Sequence, residues 1–230
     1  MRGPADTHEH GPGTVLHGPA SSPADETERL LWALMLEFER LALDCYATNA
    51  PTLATPEKRR FVARLDALGT SESALAASVL ADPVDALLAC AHSSDAVATL
   101  IVQGLVLEHL GQAIYRVAKD TERASSESRA LAADGHAASV AVVSRATATI
   151  AERIGTGDRL YPVFVDVSDD VLAALDGLAD PVDEVFGERF GLRFADVLGE
   201  FAAGLVTACT ALGMPRRKVV AHLAGACMGL

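Results

Sequence analysis

Apolar positions recur three, four and seven residues apart from about residue 25 to residue 154, the signature of helices that each bury one face. This pattern predicts a first helix from Asp25 to Asn49, stopped at "NAPTLATPE" because Pro51 and Pro56 cannot continue it. A second helix starts with Thr55 as cap and Pro56 in its first turn, and runs past Glu72 to end before "ADPVD". A short helix or crossover follows Asp82 and Pro83. The third helix takes Ser94 to Lys119, "KDTERASS" makes a polar turn, and the fourth takes Ser126 to Ile154. Beyond "GTGDRLYPVF" the pattern predicts helices over 168–179, 181–190, 194–212 and 215–228. "ADPVD" occurs at 81–85 and again at 179–183, and both copies read as a helix start with Asp as the cap and Pro at the first position.

Composition narrows the picture to an all-α fold. Half of the 230 residues are hydrophobic but only 5% are aromatic, which suits helix packed on helix around a sizeable core. A net charge of −12 repels phosphate backbones and anionic lipid, so neither nucleic acid nor a membrane surface is an expected partner. Gln103, Glu108 and Glu200 interrupt the most apolar runs, and no membrane span is expected. Cys45, Cys90, Cys209 and Cys227 lack C-x-x-C spacing and read as reduced thiols, which points to the cytoplasm. Residues 1–25 are rich in Gly, Pro and Ser and read as a disordered tail in which His8, His10 and His17 are solvated. The rest, 26–230, is expected to form one helical domain, with a four-helix bundle over 26–154 and additional helices over 155–230.

Three acids stand out when each is tested by its stripe. Glu39 shares a face with Trp32, Met35, Leu36, Ala42, Leu43 and Tyr46. Glu72 lies among Leu65, Leu68, Leu75, Ala76 and Val79, and Glu108 lies with Ile101, Gly104, Leu105, Gly111, Gln112 and Tyr115. Burying three ionised carboxylates together is costly, and no Lys or Arg is read on those stripes near them. Either a cation neutralises them, or they are partly protonated and hydrogen-bonded to Tyr46, Tyr115 and Gln112. On the fourth helix His136 shares a stripe with Ala133, Val140, Val143, Thr147 and Ile150, while Asp134 reads as surface.

Glu39 with Tyr46 and Glu108 with Tyr115 repeat one spacing on two helices, and the second-to-third connection is the long one. In both respects the chain resembles the ferritin-like carboxylate-bridged diiron proteins, over about residues 26–154. That resemblance implies a Glu on the first and third helices and a Glu-x-x-His on the second and fourth. Leu75 stands where the second-helix His is expected, and Ala133 where the fourth-helix Glu is expected. The set that remains, Glu39, Glu72, Glu108 and His136, implies a site for iron, or for manganese or another divalent ion. Tyr46 and Tyr115 would then orient the carboxylates or take part in redox chemistry.

Three functions follow as expectations. The first is a ferritin-like, metal-dependent oxidoreductase, a hydroxylase or oxygenase acting on a small organic molecule. The second is a metal-free ferritin-like scaffold or partner subunit without catalysis. The third is an unrelated helical binder with a pocket lined by Phe186, Phe190, Phe194 and Phe201. A small-molecule substrate or a protein partner is expected accordingly, and a homodimer is a further possibility. "PRRKVVAHL" reads as a solvated basic face. No glycine-rich phosphate loop, G-x-S-x-G elbow or H-E-x-x-H motif is present.

Overall fold

The computed structural model describes residues 26–68 and 72–226, without the side chains of Glu72 and Ser73. The expected tail with its three histidines, and Cys227, lie outside the described residues. Among the described residues there are helices and no strands.

Four long elements enclose the core. Helix α1 (Glu26–Asn49) is joined by a short 3-10 turn to α2 (Pro56–Ala67), where the Thr55 hydroxyl accepts from the Lys58 N–H at the capped end. The third is a 25-residue helix, Ala96–Asp120, made of α5 (Ala96–Ala98), a π-helical stretch (Thr99–Leu107) and α6 (Glu108–Asp120). The fourth is α7 (Ser126–Arg153), opened by the Ser125 side chain accepting from the Ser128 N–H. Between α2 and the third helix lie α3 (Glu72–Ala76) and α4 (Ala81–Ala91), which together make the long connection of the bundle. The second helix is therefore shorter than its pattern suggests, because it ends at Ala67 and Glu72 opens a separate turn.

The remaining helices form an outer layer. These are α8 (Leu160–Asp176), α9 (Ala179–Phe190), α10 (Phe194–Ala211) and α11 (Arg216–Ala226). Helix α8 packs on α4 and the π-helical stretch, α9 on α1, and α10 on α6. Helix α8 begins eight residues earlier than its pattern predicts: Pro162 lies in the first turn, where its missing N–H costs nothing. Both "ADPVD" stretches also start their helices at the Ala, and neither Asp caps the end through its side chain. Phe186, Phe190, Phe194 and Phe201 are all buried in the core, so the pocket expected between the outer layer and the bundle is filled by the rings themselves. Among the described residues two helices, Ala96–Asp120 and Phe194–Ala211, are long and apolar enough to cross a membrane; the first is mostly buried inside the bundle, as a core helix is.

Candidate functional site

Helix α1 turns Glu39 and Tyr46 to the bundle axis, and α6 turns Glu108 and Tyr115 to the same place. Each tyrosine reaches across to the other helix. The Tyr46 hydroxyl donates to Glu108 Oε1 at 2.8 Å, and the Tyr115 hydroxyl donates to Glu39 Oε1 at 2.7 Å. This reciprocal pairing fixes the helix directions. Seven residues span about 10 Å of helix, so a tyrosine one such step beyond its own glutamate meets the other helix's glutamate both times only if the helices run antiparallel.

The centre of the site is a residue that the sequence reading did not single out. Lys58, in the first turn of α2, is only 1% exposed, and its ammonium lies between the two carboxylates. Its Nζ is 2.6 Å from Glu108 Oε1 and in direct contact with Glu39 Oε2. The expectation that no basic side chain neutralises these acids is therefore overturned. Lys58 shares its stripe with Phe61, Val62 and Leu65, all buried, and that three-four-seven spacing is the signal that could have revealed it.

Electrostatics follow from burial and contact. Desolvation pulls the Lys58 ammonium toward neutrality, but Glu108 and Glu39 outweigh it and hold its pKa above the ordinary value of 10.5. Burial, together with the Glu108 charge, raises the Glu39 carboxyl above its usual 4.5 against the opposing pull of Lys58. Burial and the neighbouring carboxylates push both Tyr46 and Tyr115 well above 10.0, so both remain protonated donors.

His136, the other expected ligand whose side chain is described, does not join this group. His136 is half-buried on the outer side of α7; desolvation, then Lys119 and Arg116, lower its pKa. The residue that faces inward at that level is its neighbour Gly135, since a Cβ there would come within 2.6 Å of Phe61 and 2.9 Å of Tyr115. One residue is 100° of helix, so the inner stripe runs through Gly135, Ala138, Ser139, Val142 and Ala146, beside the one expected for His136. Ala133 and Val140, both predicted to face inward with His136, are exposed. The side chain of Glu72 lies outside the described residues. Gln112 is not a partner of the acids but lines an outer groove with His109, Arg116 and Glu200.

The donor set does not fit a pair of irons. Among the described side chains two carboxylates converge, no imidazole accompanies them, and a lysine ammonium takes up the space between them that a metal would need. Among the described residues no three His, Cys, Asp or Glu side chains come together as a metal cage.

No family model and no curated protein sequence matches the chain. A solved structure does: the protein with aldehyde deformylating oxidase activity from Synechococcus aligns over 88% of this chain and 98% of its own, with a TM-score of 0.64. Their sequences are 17% identical, which carries the fold and nothing finer. The chain is an all-α, ferritin-like helical bundle with additional C-terminal helices.

Proposed function

We propose that this chain is a ferritin-like scaffold or partner protein whose centre is held by a lysine where a metal would otherwise sit. The observation that carries the reading is Lys58 Nζ bonded to both Glu39 and Glu108 in the buried middle of the bundle. The ammonium supplies a cation covalently and permanently, and Tyr46 and Tyr115 donate to the carboxylate oxygens on either side. Tyr46 and Tyr115 are thus positioning groups that complete the ionic cluster. The cavity beside the cluster has room for one water-sized molecule, and the partner of such a scaffold would be a protein or a second copy met at its outer surface.

Elemental analysis of the purified chain tests this reading. Iron, manganese and zinc are expected well below one equivalent, and ferrous iron added anaerobically should leave the melting midpoint unchanged. A Lys58→Ala variant frees the two carboxylates and should take up divalent metal that the wild type refuses. Stoichiometric metal in the wild type would refute the proposal.

A second reading has an observation in its favour: the structural neighbour's aldehyde deformylating oxidase activity. On that reading the chain is an oxidoreductase of a small organic molecule with an iron cofactor, and Lys58 must leave the carboxylates when the metal enters. The same metal analysis separates the two.

A further inference from the structure

Helix α10 is apolar enough to cross a membrane, yet only 33% of that stretch is buried. Its inner face, Phe194, Val197, Leu198, Phe201, Leu205 and Cys209, packs into the core. On the opposite face Asp196, Gly199, Ala203, Thr207 and Thr210 are exposed, and Val206 is half-buried. At about 100° of turn per residue, these six lie within about 60° of one line down the helix. Beside that line α10 and α11 border an open groove of about 570 Å³, lined by Ala202, Val206, Val220 and Ala224 among others. Val220 is 45% exposed. Nothing among the described residues covers this groove, so two helices leave continuous apolar surface in water.

Opposite charges mark the two ends of this face. Asp196 stands at its start, in the first turn of α10, and Arg216 borders the groove at the other end together with Thr210. Neither has an ion-pair partner among the described residues. Arg216 also opens α11, where a cation opposes the helix dipole, so it gains nothing from its own helix. These ends decide what fits. When α10 is laid antiparallel on a second copy of itself, centred on Ala203, Asp196 falls opposite Thr210 and Gly199 opposite Thr207. Asp196 of each chain then approaches Arg216 of the other, twice over by symmetry, and the small side chains along each α10 let it settle beside the other's groove. A parallel copy would set Asp196 against Asp196 instead. We propose that this face is a two-fold interface, α10 against α10 of a second copy, antiparallel about Ala203. Such a dimer gives the scaffold reading its partner, and the expectation of a surface partner rests on that reading.

Sedimentation equilibrium of the full chain is the test. The wild type should be a dimer at micromolar concentration. Val206→Glu with Val220→Glu sets carboxylates in the apolar face and should weaken the dimer by roughly a hundredfold or more, with the helical circular dichroism retained. Asp196→Arg or Arg216→Asp alone should weaken it about tenfold, because each symmetric pair becomes a repulsion, and the two changes together should restore it. Both charged sites are exposed, so these variants keep the test open even if the double glutamate variant does not fold. A wild type that stays monomeric, whether free in solution or carried down by neutral phosphatidylcholine vesicles, overturns the interface. So does a dimer indifferent to these substitutions, or one that the charge reversals weaken and their combination does not restore. A dimer that contains iron keeps the interface and overturns the lysine-centred reading; a metal-free monomer does the reverse.

Discussion

At the scale of single residues the most informative contrast is between Lys58 and the two acids it joins. A buried carboxylate left alone is penalised far more than a paired one, so removing the ammonium harms the fold more than removing the whole cluster. Lys58→Met should therefore lower the unfolding free energy by about 3–5 kcal/mol in a urea titration. Changing Glu39 and Glu108 to Gln in the same chain should recover much of that loss. If Lys58→Met alone is neutral, the ammonium does not lie where the geometry has it. The thiols offer a second residue-level contrast. Burial pushes the Cys209 thiol up to about 12, whereas Cys90 is exposed. Alkylation followed by peptide mapping should label Cys90 in the folded chain, and Cys209 only after denaturation. The two Glu and two Tyr residues were legible because spacing and stripe agreed for each. Lys58 was not, because a lysine in the first turn of a helix ordinarily reads as solvated.

At the scale of elements, the sequence announced most helix starts and stops through proline, cap and turn residues, but it gave little sense of rotation where a helix is buried all round. From Thr99 to Val106 every residue of the π-helical stretch is buried, so no polar face marks which side looks inward. Helix α7 misled for a related reason: its inner stripe is made of Gly, Ala and Ser, which carry little hydrophobic contrast against His136 and Val140 one position along. The small residues there have a packing purpose. Phe61 and Tyr115 meet edge to face, ring centres 5.3 Å apart, and both press on Gly135. Gly135→Ala gains helix propensity yet forces a methyl into those rings. We expect a net loss of about 1–3 kcal/mol, with tyrosine environment altered in the near-ultraviolet circular dichroism spectrum. A stabilised variant with an unchanged spectrum would mean that α7 is rotated from this position.

At the scale of the whole molecule, the buried cluster ties global stability to alkaline pH. Tyr46, Tyr115 and Lys58 all have folded pKa values above their ordinary ones of 10.0, 10.0 and 10.5. A group with a raised folded pKa holds its proton in the native state after the unfolded chain has released it. Its contribution is therefore complete below the ordinary pKa and is lost as pH climbs through the folded one. All three groups act with the same sign in the same window, so the melting midpoint should fall steeply from about pH 10 upward. Tyrosinate absorbance from Tyr46 and Tyr115 should appear together with unfolding rather than ahead of it, because neither phenol ionises while desolvated beside a carboxylate. The double variant Tyr46→Phe, Tyr115→Phe begins less stable, since Glu39 and Glu108 each lose a donor, but its alkaline decline should be shallower. A wild-type melt that stays flat to pH 11, or a decline identical in the double variant, would show that these groups do not couple folding to alkaline pH.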